Sequence, residues 1–95
     1  MAKIILFQNT NFTGDACVLK DADIRNLSNK SFNDRASSVI VIDGSWTLYQ
    51  HAEFGGARWY LQANGGPERD GCYPSYNDWQ GSNDSVSSVR RGIDR

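Results

Sequence analysis

Residues 33–38 read NDRASS and residues 83–88 read NDSVSS, so Asn-Asp-x-x-Ser-Ser is spelled twice, each time before a valine. One copy would be an ordinary turn running into a strand, because Asn and Asp side chains bond their own backbone. Two copies raise the question of what else repeats. FQNTNFTG (7–14) carries Phe7, then Phe12, then Gly14; YQHAEFGG (49–56) carries Tyr49, Phe54 and Gly56 at the same spacing. These landmarks shift by 42 positions and the hexapeptides by 50, which leaves eight extra residues between the landmarks of the second copy. The extra length falls in NGGPERDGCYPSYNDWQGS (64–82), rich in Gly, Pro, Asn and Ser. The chain is therefore two copies of one unit of about 45 residues, meeting near DGS at 43–45.

Each unit reads as β. KIILFQ (3–8), DACVLK (15–20), SSVIVI (37–42), WTLYQ (46–50), RWYLQA (58–63) and SSVRR (87–91) are short runs rich in β-branched and aromatic residues, bounded by Gly, Asn and Asp. DADIRNL (21–27) is compatible with a turn or two of helix, and no stretch sustains a 3.6-residue period over three turns. Asp43-Gly44 is a turn signal joining the units. Gly14 and Gly56 each suggest a tight hairpin whose backbone takes φ > 0 or approaches an aromatic ring too closely for a Cβ. Neither unit can cover its own apolar face, so the expected fold class is all-β, two units packed as one β-sandwich. A single domain over 1–95 follows, with unit one at about 3–43 and unit two at about 45–92.

Ninety-five residues leave no room for a second core and bury roughly 60–65% of the unfolded surface, so the stability margin is thin. A net charge of −1 with scattered Lys and Arg argues against nucleic acid, which needs a basic face. IILF (4–7) and VIVI (39–42) are far too short to span a bilayer. MAKIILFQNTN lacks the features of a signal peptide; a cytoplasmic protein, a mature form and a domain of a longer secreted chain all remain open. Cys17 and Cys72 are too few for a disulfide framework and stand in no metal-ligand spacing, so two reduced thiols are expected. Asn-x-Ser/Thr occurs at Asn11, Asn26, Asn29 and Asn83, easily by composition, and no glycosylation is read from it.

Asn, Asp, Ser and backbone carbonyls are oxygen ligands. A hard cation such as Ca²⁺ takes six to eight of them at about 2.3–2.6 Å, in a geometry a loop can supply. One hexapeptide offers too few; two brought together could form two related sites. Zinc is not expected, since soft ligands reduce to one His and two distant Cys.

The aromatic-x4-Phe-x-Gly hairpin followed by the N/D-N/D-x-x-S/T-S hexapeptide, each present twice in alternation over about residues 3–91, resembles a microbial βγ-crystallin domain. The resemblance implies two Greek-key motifs in a β-sandwich and two Ca²⁺ ions per domain, bound where loops of the two motifs meet. By the same resemblance, Asp34 and Asp84 offer carboxylates, Arg35 and Ser85 backbone carbonyls to one ion, and Ser37 and Ser87 hydroxyls to the other. Thr10 and Ala52 supply a carbonyl from each hairpin, and water completes the shell. Ser38 and Ser88 bond the folded hairpin, while Asn33 and Asn83 either orient the loop or coordinate. Arg35 puts a cation near site one and weakens binding there unless its side chain swings into solvent. With two evident carboxylates, affinity falls near 10⁻⁶–10⁻⁴ M on general grounds.

No enzyme signature is present: His51 is the sole histidine and nothing in the sequence places it beside Cys72. The rival is an interaction module that binds a protein or carbohydrate partner through the aromatic 64–82 loop, with Tyr73, Tyr76 and Trp79 as its surface and Trp46 and Trp59 as core. The expected partners are calcium ions, without nucleic acid or membrane, and the expected state is a monomer.

Overall fold

The first strand shows why the chain folds as it does. In β1 (Lys3–Asn9), alternate residues Ile4 and Leu6 are wholly buried. Antiparallel neighbours continue both rows: Leu19 and Val41 flank Ile4, and Cys17 and Val39 flank Leu6. The flanking strands are β2 (Thr13–Lys20) and β3 (Ser38–Asp43). Period-2 alternation thus gives this sheet one apolar inner face. The second unit repeats the device with β4 (Ser45–His51), β5 (Gly55–Gln62) and β7 (Ser88–Arg91). There Trp46 pairs with Leu61, and Leu48 stands between Trp59 and Val89. The computed structural model describes residues 2–21, 23–27, 32, 36–79 and 86–92.

The molecule is all-β: a four-stranded sheet in the order β2-β1-β3-β6 and a three-stranded sheet in the order β5-β4-β7, with no α-helix among the described residues. β6 is the two-residue strand Cys72–Tyr73, and it belongs to the sheet of the first unit, where Val39 pairs with Tyr73 and Ile40 with Cys72. Unit one returns the exchange: Ile24 bridges Val89 in the other sheet, with N···O distances of 2.8 and 3.0 Å in the two directions. Each unit therefore runs hairpin, crossing, return. This is a Greek-key path whose third segment lies in the partner sheet, and the two motifs pack as a sandwich.

Two expectations change here. The helix suggested over 21–27 does not form across its described part, because the amide and carbonyl of Ile24 are spent on β7 and its side chain packs against the core. The described part of the 64–82 segment, residues 64–79, is also no aromatic display. Tyr73 and Trp79 are buried at 5% and 6% exposure, and Tyr76 is half-buried against the same cluster. Tyr73 and Trp79 meet edge to face at 6.4 Å. Trp46 is core as expected, and Trp59 packs against it half-buried. These rings fill one cluster with residues of both sheets, because burying an aromatic gains far more than exposing it in a short loop.

Sheet order also settles the cysteines. Cys17 on β2 and Cys72 on β6 have two strands between them, about 14 Å at the usual strand spacing. A disulfide needs Cα atoms within about 7 Å, so the two cannot bridge within one chain. Partial burial, and then the Asp70 carboxylate, push the Cys72 thiol above its ordinary pKa. His51 ends β4 in one sheet and Cys72 stands on β6 in the other.

Candidate functional site

Each aromatic landmark folds into the same corner. After β1 the chain makes a 3₁₀ turn at Thr10–Phe12, and after β4 another at Ala52–Phe54. In both, two consecutive non-glycine residues take the left-handed region: Asn11 and Phe12 at φ 57° and 61°, Glu53 and Phe54 at 60° and 61°. Asn tolerates this conformation; a bulky Phe does so at a cost of order 1–3 kcal/mol that neighbouring structure must offset. Gly14 and Gly56 follow at φ 81° and 75°, as their spacing suggested. A Cβ on Gly14 would stand 2.7 Å from the Asn9 amide nitrogen, and one on Gly56 would collide with the His51 ring.

The last serine of each hexapeptide supplies much of the offset. Ser38 donates to the Asn9 carbonyl at 2.5 Å and accepts from the Phe12 N–H at 3.0 Å. Ser88 donates to the His51 carbonyl at 2.6 Å and accepts from the Phe54 N–H at 3.1 Å. One hydroxyl thus ties both ends of each turn, and both serines are fully buried. The preceding serines add a backbone tie, with the Ser37 N–H on the Phe7 carbonyl at 2.8 Å and the Ser87 N–H on the Tyr49 carbonyl at 2.9 Å. Ring contacts close each corner: Phe7 on Phe12 at 5.6 Å and Tyr49 on Phe54 at 5.4 Å, both edge to face. Arg25 and Arg90 add guanidinium groups at 5.6 and 5.0 Å from the Phe54 ring centre.

The corners also reach across the molecule. The Asn11 N–H donates to the Pro74 carbonyl and the Glu53 N–H to the Arg25 carbonyl, each at 2.7 Å, so each hairpin is pinned by the crossing segment of the other unit. The Ser87 carbonyl accepts from Leu27 at 2.8 Å, and the Leu27 carbonyl accepts from Phe32 at 2.9 Å. The residue just before the first hexapeptide is thereby held near the end of the second. Of the expected ligands, Thr10 and Ala52 lie in the two turns, and Ser37 and Ser87 are buried beside the latches. Asp34, Arg35, Asp84 and Ser85 lie outside the described residues. The Thr10 carbonyl already accepts from the Thr13 hydroxyl at 2.9 Å, which leaves one of its two acceptor positions. His51 is exposed on the second hairpin. The consecutive left-handed residues had no sequence signal beyond Asn11, since neither Glu nor Phe advertises φ > 0.

Two latched hairpins and two crossed connections define the site, and comparison with known proteins decides the family. The family model for beta/gamma crystallin matches residues 3–91. This chain belongs to the beta/gamma crystallin family. It is 34% identical over 91 residues to a beta/gamma-crystallin of Ciona intestinalis, covering 96% of this chain and 99% of that one. It is 36% identical to gamma-crystallin D of Macropus fuliginosus over 95% of this chain, but spans only 46% of that protein. Among solved structures, the Ciona crystallin superposes with a TM-score of 0.85 at 33% identity, covering 95% of this chain and 99% of that one. A βγ-crystallin from an archaeon gives 0.77 at 28%, covering 95% and 96%. The crystallin fold here thus has a microbial neighbour and animal relatives side by side.

Proposed function

We propose that this crystallin domain binds two Ca²⁺ ions through its paired hexapeptides and is stabilised by them. The observation that carries the reading is the duplication: the hexapeptide recurs, and its last serine latches an identical corner each time. A turn needs only one of its polar side chains to close it, and here Ser38 and Ser88 do that. Asp34 and Asp84 supply the charge, Arg35 and Ser85 their carbonyls, Ser37 and Ser87 their hydroxyls, and Thr10 and Ala52 a carbonyl from each hairpin. Holding those two carbonyls in rigid corners lowers the ordering cost of binding. Arg35 makes the first site the weaker of the two, and two carboxylates place affinity near 10⁻⁶–10⁻⁴ M. Ion binding at 100 times the dissociation constant adds about 2.7 kcal/mol per site, a large increment for a domain this small.

Isothermal titration of the chelator-treated protein, beside thermal melts with and without Ca²⁺, tests this. Two binding events and a raised melting temperature are expected, both lost in Asp34→Ala/Asp84→Ala with the far-ultraviolet spectrum unchanged. Silence in both experiments, at several temperatures, would reduce the hexapeptide to a latch and nothing more.

A further inference from the structure

Three glycines of this chain follow an Asn or Asp: Gly44 after Asp43, Gly65 after Asn64 and Gly71 after Asp70. A glycine in that position leaves its backbone nitrogen unshielded from the side-chain carbonyl carbon of the residue before it, because it has no Cβ. The three pairs are not equally reactive. At neutral pH Asp43 and Asp70 are carboxylates, whose carbon resists attack, whereas the Asn64 carboxamide is neutral and can release ammonia. The Asp70 carboxylate is also occupied, accepting from the Cys72 N–H at 3.1 Å. Asn64 is exposed, and its carboxamide has no hydrogen-bond partner among the described residues.

Packing makes the glycine after Asn64 compulsory. A Cβ on Gly65 would overlap the Tyr73 hydroxyl, and that hydroxyl accepts from the Gln62 N–H at 3.2 Å. Gly65 is also tied at both ends, its N–H on the Gln62 carbonyl at 3.0 Å and its carbonyl on the Gly71 N–H at 2.9 Å. A free carboxamide therefore stands beside a nitrogen that no side chain can screen, with one hydrogen bond holding that nitrogen back.

We propose that Asn64 is a site of spontaneous deamidation, independent of calcium, and that one of its two products unfastens the second crossing. The Gly65 nitrogen bonds to the Asn64 Cγ, the Cγ–Nδ2 bond breaks, and Nδ2 takes the Gly65 amide proton and leaves as ammonia. Water then opens the resulting succinimide, its oxygen joining one imide carbon while a proton returns to the Gly65 nitrogen. Breaking the new bond at Cγ gives aspartate. Breaking the original peptide bond gives isoaspartate, whose main chain runs through Cγ and is one methylene longer. Either product adds one carboxylate, and no electrons are exchanged. Aspartate merely charges an exposed position. Isoaspartate lengthens a segment fixed on both sides, by the Ala63 N–H on the Gly44 carbonyl at 3.1 Å and by the two bonds of Gly65. One of those ties, or the seat of Gly65 on Tyr73, has to give way, and Tyr73 is half of β6.

Ageing the folded protein at neutral pH below its melting temperature, then mapping tryptic peptides by mass, tests this. Cleavage after Arg58 and Arg69 yields peptide 59–69, in which Asn64 is the only Asn or Asp. That peptide is expected to exchange NH₂ for OH ahead of every other, and to accept methyl groups from an isoaspartyl methyltransferase. Protein unfolded in guanidinium chloride should react about two- to tenfold faster, since the bond on the Gly65 nitrogen no longer has to open. The aged, charge-shifted fraction should melt about 4–8 °C below the parent, the shift expected when a domain of this size loses one hydrogen bond. Asn64→Asp, with the same charge and an ordinary main chain, should melt with the parent. Asn64 intact in the folded protein once the unfolded sample has fully reacted overturns the site. An aged fraction that holds no isoaspartate, or that melts with Asn64→Asp, overturns the unfastening.

Discussion

The two corners and the two crossings were duplicated together, yet they have diverged to very different degrees. In the corners, the serine bonds measure 2.5 and 3.0 Å in one and 2.6 and 3.1 Å in the other. The crossings share little: Ile24, Leu27 and Phe32 fill the core from the first unit, and Tyr73 and Trp79 from the second, the latter at the end of a segment eight residues longer. A corner is a geometric constraint, since one hydroxyl must reach a particular carbonyl and a particular amide while two residues stay left-handed. A crossing is a volumetric constraint, and a core accepts many side chains of suitable total volume. Extra loop length costs little once the ends are fixed, about 0.6 kcal/mol per doubling.

The largest effect should come from emptying a crossing. Trp79→Ala removes a ring that is 94% buried by the 6% exposure it retains, and should cost about 3–5 kcal/mol in a denaturant titration. Trp79→Phe should recover most of that, because the indole N–H has no hydrogen-bond partner among the described residues. A change below about 0.5 kcal/mol in Trp79→Ala, the usual size for a surface position, would return the 64–82 segment to the role of a display loop. The corners come next. Ser38→Ala and Ser88→Ala each strand a buried amide and carbonyl, so each should cost about 1–3 kcal/mol by the same measurement. Equal losses are expected from the two. A clear difference would show that one corner is held by something its twin lacks, and the two guanidinium groups on Phe54 would be the first suspects.

What the sequence disclosed follows the same division. Strands β1 to β5 and β7 were legible because alternation and β-branching announce a half-buried face, and the corner because it is spelled twice. β6 was not: two residues inside a Gly- and Pro-rich segment carry no period, and Cys72–Tyr73 is a strand only because the edge of β3 is there to pair with it. Ile24 is extended for the same reason, its pairing groups being met by Val89 some 65 residues away. Loop composition made Tyr73 and Trp79 look exposed, whereas tertiary packing turned them inward. The candidate site was legible as a list of oxygen donors. Its serines and hairpin residues stand beside the latches, and its carboxylates, Asp34 and Asp84, lie outside the described residues.

The smallest prediction separates the crossings by how they are tied. The first carries an ionic link: Asp23 accepts from the Arg91 backbone N–H at 2.8 Å and from its guanidinium Nε at 3.1 Å. Partial burial alone would raise the Asp23 pKa, but those two bonds and the charges of Arg91 and Arg90 outweigh it and hold the carboxyl below its ordinary value. A depressed folded-state pKa means the link stabilises fully above the unfolded value, about 3.9, and is lost as pH falls through the lower folded value. Both side chains are more than a third exposed, at 45% and 38%, so solvent screening keeps the contribution below about 1 kcal/mol. Asp23→Asn keeps an oxygen for the Arg91 N–H and removes the charge. Its deficit against the parent should therefore be present at pH 7, shrink with added salt, and vanish well below pH 4. A deficit that persists unchanged at low pH would assign the tie to the neutral hydrogen bond rather than to the ionic link.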